Sequence, residues 1–412
     1  MITIDSSLSR PGASARPPVP GGPLTATLPD LGTAETGRTL GIIDCDVHPL
    51  KIREHQQRGA GVLSYLPQRW QRHAAEVGVA RGGWAGGDRP RPREYGQRWD
   101  TEPPGGGAPG SDPLFAAEQL LDNYQISAGL LNDLGAFSSA GMKGQPTGFS
   151  AAYCRALNEH RCDNWLARDP RWYASINLPY ELPELAVREI EFWKEQDRPY
   201  GDRMKQIMLA PDNLRPPGHP SYWPIYEACE HYGLPVTFHV MTGNRVTPSG
   251  SPSYYYEEHC DYAAFNFPMV ASFIFEGVFD RFPNLAIVLV ELGWSWALPL
   301  SWRLDAAART MGGEVAHLAK APSEYLRDHF YFTTQPMEEP EDHAHLDELY
   351  DAFLASGLGE KLMYSSDYPH WDFDEPAALP RNLSVERRAA VLGGVAGELY
   401  GIPLLPGRGL AV

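Results

Sequence analysis

The chain has 412 residues, of which 43% are hydrophobic, so it is long enough to enclose a large core and is not a disordered protein. Its 52 acidic and 35 basic side chains give a net charge of -17, which disfavours a nucleic acid or an anionic membrane as a partner. The five cysteines form no CxxC pair, which is typical of reduced thiols in a cytoplasmic protein.

The first 38 residues are rich in Ser, Pro, Gly, Ala and Thr and lack the continuous apolar core of a signal peptide. We predict that residues 1–38 form a mobile tail or an arm that wraps a neighbouring subunit. No run in the chain approaches the roughly 18 apolar residues of a membrane span. We therefore expect a cytoplasmic homo-oligomer, most simply a dimer, with no membrane partner.

From residue 41 onward, short apolar runs alternate with helical stretches. Eight runs have the composition of strands buried on both faces: 41–46, 126–132, 172–177, 205–209, 235–239, 285–291, 330–334 and 361–366. Helices are predicted at 112–124, 183–197, 220–232, 262–276, 295–310, 340–355 and 385–399. Eight such units without a sequence repeat predict an α/β fold, a single (β/α)8 TIM barrel over residues 39–405.

Two long segments interrupt the alternation, residues 51–111 after the first predicted strand and 240–261 after the fifth. Loops that follow strands open on the C-terminal face of a barrel, so both insertions are predicted to roof the active-site mouth. Their length suits a substrate-covering lid or a purely structural loop. Their residues Arg98, Trp99 and Tyr255 are candidate contacts for a flat or anionic small-molecule substrate.

Three predicted strands deliver metal-ligating side chains at their C-terminal ends. Asp46 and His48 end the first strand, His239 ends the fifth, and Asp367 follows the eighth. Asp46 and His48 are two residues apart on a strand, so both point to one face. Because strand ends meet at the mouth of a parallel barrel, these side chains predict a site for one divalent ion. Two imidazoles and two carboxylates suit Zn²⁺, with Mn²⁺ or Fe²⁺ as alternatives.

Several ionisable residues near these positions have more than one possible role. Glu291 follows four apolar residues at the end of the sixth strand. It could be a metal ligand, an acid/base, a residue that holds a histidine in place or the partner in a salt bridge. His259, in the second insertion, is a candidate to donate to substrate or complete the metal site, and a solvated side chain is the alternative. His370 lies three residues after Asp367 and is a candidate to contact substrate or to support a metal ligand. Asp44 has the same parity as Asp46 and is a candidate to support a ligand.

Four stretches of the chain carry a family resemblance: 43–48, 235–239, 276–285 and 366–370. Through them the chain resembles the second amidohydrolase family, a group of metal-dependent barrels that includes aminocarboxymuconate semialdehyde decarboxylase and the resorcylate decarboxylases. The resemblance runs from about residue 41 to residue 400. The stretch 276–285 contains Gly-Val-Phe-Asp-Arg-Phe-Pro, which is fairly specific to this family.

The resemblance implies that Asp46, His48, His239 and Asp367 match the family's metal ligands, and that Asp367 also matches its acid/base. Two departures stand out. The family's first motif often reads His-x-His, whereas Asp46 is its first member here. Decarboxylases of the family usually carry a histidine after strand six, where this chain has Glu291. That change counts against decarboxylase chemistry and favours His259 as the source of the missing imidazole.

Three functions are compatible with these residues. We predict first a metal-dependent hydrolase in which a metal-activated water attacks an amide, ester or lactone and Asp367 transfers the proton. The alternative is a metal-dependent, non-oxidative decarboxylase of an aromatic or unsaturated carboxylate. A metal-free barrel that serves as a binding or scaffold protein is the third. Metal content tests the third function, and CO₂ release against water incorporation separates the other two.

Overall fold

Eight parallel strands form one sheet in which each strand pairs with the next along the chain. The structure is a computed structural model that describes residues 39–49, 61–76, 96–134, 146–195, 197–209, 215–240, 254, 257, 260 and 262–411. The strands are β1 (Ile43–Val47), β2 (Ala128–Leu131), β3 (Trp172–Asn177), β4 (Met204–Leu209), β5 (Val236–His239), β6 (Ile287–Val290), β7 (Phe330–Thr333) and β8 (Leu362–Met363).

The first and last strands also meet, which closes the sheet into a barrel. The Cys45 amide donates to the Tyr364 carbonyl at 3.0 Å, and the Asp367 amide donates to the Asp46 carbonyl at 3.1 Å. Closure removes the unpaired sheet edges and places the C-terminal ends of β1 and β8 side by side. The predicted (β/α)8 barrel is confirmed, and each predicted strand overlaps an observed one.

Helices connect the strands and pack on the outside of the barrel. They are α1 (Gln68–Glu76), α2 (Pro113–Ala116), α3 (Thr147–Arg161), α4 (Pro183–Lys194), α5 (Trp223–Tyr232), α6 (Tyr262–Phe275), α7 (Val278–Arg281), α8 (Ala297–Thr310), α9 (Pro322–His329), α10 (His343–Ala355), α11 (Val385–Ala389) and α12 (Val395–Tyr400). Turns of π-helix extend α2, α3 and α11. Among the described helices, none has the length and apolar character needed to cross a membrane.

The barrel encloses both apolar and polar side chains. One buried apolar cluster draws on β1, β2, β6, β8 and the C-terminal helix: Ile43, Cys45, Ala128, Leu130, Val288, Val290, Met363, Ala396, Tyr400 and Ile402. Polar residues of β3, β4 and β5 are equally buried: Ser175, Gln206 and Thr237. Because buried polar groups need hydrogen-bond partners, these three mark a region of the interior built around a polar network.

The first predicted insertion is anchored to the barrel at two described places. Val62 and Leu66 pack with Phe149 of α3 in a buried cluster. Further along, the Arg98 amide donates to the Pro369 carbonyl at 2.9 Å, in the loop after β8. Residues 96–111 are therefore attached to that loop. The second insertion, 240–261, lies almost entirely outside the described residues, so the lid role of both segments stays a prediction.

Candidate metal centre

Strand β1 delivers Asp46 and His48, both fully buried. The hydrogen-bond register between β1 and β2 shifts between Asp44 and Val47. Side chains therefore do not alternate regularly there, and the prediction that Asp44 and Asp46 point to one face does not hold. Nε2 of His48 lies 3.3 Å from Oδ1 of Asp46. Nδ1 of His48 faces the Asn132 carbonyl at 2.9 Å, so Nδ1 carries the proton and Nε2 presents a lone pair when the ring is neutral.

Strand β5 ends in His239, whose ring lies nearly perpendicular to that of His48. Its Nδ1 faces the Val240 carbonyl at 2.6 Å, which again leaves Nε2 with a lone pair in the neutral ring. That Nε2 lies 3.2 Å from Nε2 of His48 and 3.4 Å from Oδ2 of Asp46. Two imidazoles from strands on opposite sides of the barrel therefore converge on one point.

The loop after β8 brings Asp367 and His370 to the same point. Oδ1 of Asp367 lies 2.8 Å from Nε2 of His48 and 2.5 Å from Nδ1 of His370. Oδ2 of Asp367 accepts a hydrogen bond from Nε2 of Gln335 at 3.2 Å. The two oxygens of Asp367 thus have separate roles, because Gln335 holds Oδ2 while Oδ1 faces the histidines.

Glu291 completes the group from the end of β6. Its Oε2 lies 3.1 Å from Nε2 of His239, and the residue is 6% exposed. Glu291 has φ 53° and Asp367 has φ 60°, both in the left-handed region that side chains other than glycine rarely adopt. Such backbone strain persists where the surrounding structure enforces it, and it concentrates at functional sites. The two strained acids of the site are therefore held in place by the fold.

Two overlapping sets of residues bring their ligand atoms within 4.8 Å of one another: Asp46, His48, His239 and Glu291, and His48, Glu291, Asp367 and His370. Nε2 of His48 lies 3.2 Å from Nε2 of His239, so their lone pairs face each other when both rings are neutral, and the buried Oδ2 of Asp46 has no hydrogen-bond partner. Converging lone pairs repel one another unless a cation lies among them. The donor set of imidazole and carboxylate therefore fits a divalent metal ion.

The electrostatics of the group also favour a bound cation. Burial alone would lower the pKa of His239, but the Asp46 carboxylate raises it to about 10. Burial would raise the pKa of Asp46, but His48 and His239 bring it far below its usual range. Burial raises the pKa of Glu291 to about 7 and that of Asp367 to about 8. The group therefore binds protons tightly, and a metal ion that binds there displaces them.

The Amidohydrolase family model matches residues 43–402, which is most of the chain. The chain belongs to the amidohydrolase family. The resemblance read from the sequence is thereby confirmed. Members of this family depend on metal ions, and the buried group around His48 is a possible site for one in this amidohydrolase. No curated protein matches the chain.

Solved structures share the amidohydrolase fold. An amidohydrolase from Mycobacterium avium subsp. paratuberculosis is 18% identical, with a TM-score of 0.63, over 89% of this chain and 99% of its own. The 5-carboxyvanillate decarboxylase of Sphingomonas paucimobilis is 22% identical, with a TM-score of 0.60, over 89% and 100%. Dihydroxybenzoic acid decarboxylase of a Polaromonas species, with manganese and 2-nitroresorcinol bound, is 16% identical, with a TM-score of 0.56, over 88% and 97%. At these identities the likeness establishes the fold alone.

The structure places the four ligands predicted for this amidohydrolase in two overlapping groups: Asp46, His48 and His239 lie with Glu291, whereas Asp367 lies with His48, Glu291 and His370. Arg98 instead forms an ion pair with Asp100, and its guanidinium lies over the ring of Phe373. Trp99 begins a short 3-10 helix, but its side chain lies outside the described residues, as do His259 and Tyr255 entirely. His370 supplies a further imidazole to the group, the role for which the sequence suggested His259.

The sequence reading missed two residues of this amidohydrolase site, Asn132 and Gln335. Asn132 donates to Oδ1 of Asp46 at 2.8 Å, and its carbonyl accepts from His48. Gln335 donates to Asp367 and, at 2.9 Å, to Asp372. Both are polar residues at the C-terminal end of an apolar strand, which is the pattern that identified Asp46 and His239. Asn132 directly follows β2, and Gln335 is the second residue after β7.

Asp44 links β1 to the loop that carries Asp367. Its carboxylate accepts from the Asp46 amide at 3.1 Å, from the Ser366 amide at 2.9 Å and from the Ser366 hydroxyl at 2.5 Å. Asp44→Asn should lower the free energy of unfolding of the metal-free protein by about 1–3 kcal/mol, because a buried donor loses its acceptor. Urea denaturation measures this change. Asp305→Asn, at a half-buried acceptor on α8, should change it less, and equal losses would contradict a special role for Asp44.

Proposed function

We propose that this amidohydrolase is a metal-dependent, non-oxidative decarboxylase of a small aromatic or unsaturated carboxylate. The observation that carries the proposal is the position of Glu291. This buried carboxyl group lies 3.1 Å from His239 Nε2, beside the group of candidate ligands, on a strained backbone. Non-oxidative decarboxylation needs an acid close to the reacting carbon, because the carbon that loses CO₂ must receive a proton.

Charge balance supports Glu291 as the proton carrier. Asp46 and Asp367 contribute two negative charges at the candidate ligand positions, which a divalent ion neutralises. A substrate carboxylate then adds a negative charge next to these buried side chains. A third ionised protein carboxylate beside it would be strongly disfavoured in such surroundings, so Glu291 stays protonated while an anionic substrate is bound.

In the proposed reaction the bond between the substrate carbon and its carboxylate breaks, and the electron pair stays on that carbon. The carbon takes the proton of Glu291, CO₂ leaves, and Glu291 regains a proton from solvent. Asp46, His48, His239 and Asp367 would hold a divalent ion, which when bound attracts the substrate's carboxylate or a neighbouring oxygen. His370 donates its ring N–H to Asp367, 2.5 Å away, and so orients this carboxylate.

The compared structures favour this alternative over the hydrolase predicted first. The 5-carboxyvanillate, dihydroxybenzoic acid and 2,6-dihydroxybenzoate decarboxylases share the fold, and all act on carboxylates by name. The hydrolase prediction is not confirmed by them. This likeness supports the reaction class proposed here and leaves the substrate itself to experiment.

The test supplies the metal-loaded protein with hydroxybenzoates that carry an isotope-labelled carboxyl group, in deuterium oxide. We expect labelled CO₂ and one deuterium at the vacated ring carbon. Esters, lactones and amides are tested in parallel in heavy-oxygen water. The proposal would be contradicted if no hydroxybenzoate released CO₂ while an ester, lactone or amide gave a product carboxylate that contains heavy oxygen. That result would favour the hydrolase.

We propose Zn²⁺ as the bound ion, because two imidazoles and two carboxylates with room for substrate are typical of catalytic zinc. Mn²⁺ and Fe²⁺ remain the alternatives. Elemental analysis of the purified protein should find close to one divalent ion per chain. A homodimeric, cytoplasmic enzyme acting on a small molecule is part of the same proposal.

A further inference from the structure

A chain of hydrogen-bonded side chains begins at Asp46 and leads away from the candidate metal centre. Nδ2 of Asn132 donates to Oδ1 of Asp46 at 2.8 Å and to the Cys45 carbonyl at 3.2 Å. Oδ1 of Asn132 accepts from Oγ of Ser175 at 2.6 Å and from Nε2 of Gln206 at 3.1 Å. All four hydrogen-bonding positions of the Asn132 amide are therefore used.

The chain continues from Gln206 to the C-terminal helix. Nε2 of Gln206 also donates to Ser175 at 2.9 Å, while its Oε1 accepts from Thr237 at 2.7 Å and from the Tyr400 hydroxyl at 2.6 Å. Tyr400 ends α12, which packs against β1 and β8. Gln206 and Thr237 belong to β4 and β5, on the opposite side of the barrel, so the Tyr400 side chain reaches across the interior.

Burial makes this network energetically important. Asn132, Gln206 and Thr237 are 0% exposed, and Ser175 and Tyr400 are 4% and 5% exposed. A polar group that loses its partner in such a place cannot bond to water instead. The amides of Asn132 and Gln206 each have two donors and two acceptors, and every one of them is satisfied.

The network has a single possible direction. The Asp46 carboxylate and the Cys45 carbonyl can only accept, so the Asn132 amide must direct its NH₂ at them and its oxygen at Gln206. Gln206 must then direct its NH₂ at Asn132 and its oxygen at Tyr400. The Tyr400 hydroxyl must therefore donate. The orientation of every member therefore follows from the Asn132 amide, which the Cys45 carbonyl fixes.

We propose that this network, from Tyr400 through Gln206 and Asn132 to Asp46, positions the Asp46 carboxylate for metal binding. Asn132 occupies Oδ1 of Asp46, whereas the buried Oδ2 has no hydrogen-bond partner and lies 3.4 Å from Nε2 of His239. Oδ2 is thus the oxygen of Asp46 that is available to coordinate the ion. The Asn132 carbonyl also fixes the ring of His48, so one residue orients two ligands.

This inference rests on the proposed metal centre and not on the proposed reaction. It assigns a positioning role to Gln206 and Tyr400, which are linked to Asp46 through Asn132. Gln206→Met keeps the length of the side chain and removes both the donors and the acceptor. Tyr400→Phe removes one hydroxyl. The matched control is Tyr350→Phe, because Tyr350 is also fully buried and its hydroxyl has no hydrogen-bond partner.

The experiment measures Zn²⁺ affinity by competition with a chelator, the visible spectrum of the Co²⁺-loaded protein and the melting temperature of the metal-free protein. Gln206→Met should weaken Zn²⁺ binding about 10- to 100-fold and change the Co²⁺ spectrum, since partners behind a ligand typically have effects of this size. Tyr400→Phe should weaken binding a few-fold. Tyr350→Phe should leave affinity and spectrum unchanged.

A purely structural network would give a different pattern. It would lower the melting temperature of the metal-free variants and leave Zn²⁺ affinity and the Co²⁺ spectrum as in the wild type, which would overturn the inference. If Gln206→Met does not fold, an unchanged affinity and spectrum in Tyr400→Phe would overturn it alone. Altered metal binding in both variants would support it even if no carboxylate proved to be a substrate, in which case only the proposed reaction would fail.

Discussion

Replacing His239 with alanine should weaken divalent-metal binding about 100-fold or more. Zinc sites in proteins bind with roughly 10–16 kcal/mol, so one ligand of four contributes about 3 kcal/mol. Each 1.4 kcal/mol corresponds to about a tenfold change in affinity. His239 Nε2 lies within 3.4 Å of His48, Asp46 and Glu291. Its loss therefore removes the imidazole that faces the ligand atoms of all three residues.

The measurement is the Zn²⁺ dissociation constant, with the melting temperature of the metal-free protein beside it. His329→Ala is the control, because His329 is a buried histidine that bonds the Leu285 carbonyl and stacks on Phe279, outside the candidate site. That variant should lose stability and keep its metal affinity. Wild-type affinity in His239→Ala would remove this residue from the ligand set.

The barrel could be predicted because its strands are buried on both faces. A strand such as β6, which reads Ile-Val-Leu-Val, contains no polar residue and is recognisable as a short apolar run. Helix α3 was missed, although its buried residues Phe149, Tyr153, Ala156 and Leu157 recur at helical spacing. The apolar pattern is weak because small and polar residues lie between these positions. The helix also begins without a capping side chain.

The candidate ligands could be predicted for a topological reason. Parallel strands end at the same rim, so Asp46, His239 and Asp367 had to approach one another once each was placed at a strand end. The same rule applies to Asn132 and Gln335, yet amides are common at strand ends and carry no charge that marks them. What distinguishes these two amides is their hydrogen bonds to Asp46 and Asp367, which only the tertiary structure reveals.

The loops could not be predicted in the same way. Arg98 is predicted to contact the substrate, which stays a prediction, and nothing in the sequence indicated that its guanidinium would pair with Asp100, two residues further on. His370 reaches Asp367 because the chain reverses tightly after β8, with a hydrogen bond from the His370 amide to the Asp367 carbonyl at 2.8 Å. Side-chain partners within such turns depend on backbone angles like the positive φ of Asp367, which no spacing rule predicts.

The substitution Glu291→Gln should lower the turnover number for decarboxylation about 10²- to 10⁴-fold, the usual contribution of a positioned acid. Glutamine keeps the shape of the side chain and its place beside His239, but it has no proton to give the substrate carbon. Metal content should stay near the wild-type value, because Asp46, His48, His239 and Asp367 still provide four ligands.

The control for this substitution is Glu338→Gln. Glu338 is a half-buried glutamate in the loop after β7 whose pKa burial also raises, and it belongs to neither group of candidate ligands. Its loss should leave turnover within a few-fold of wild type, since the loss of a charge outside the site removes no proton donor. If Glu291→Gln loses metal and activity together, Glu291 is a ligand and the acid must be sought in Asp367 or His370. If it keeps full turnover, the proton comes from another group, and the charge argument for a neutral Glu291 beside a bound carboxylate is wrong.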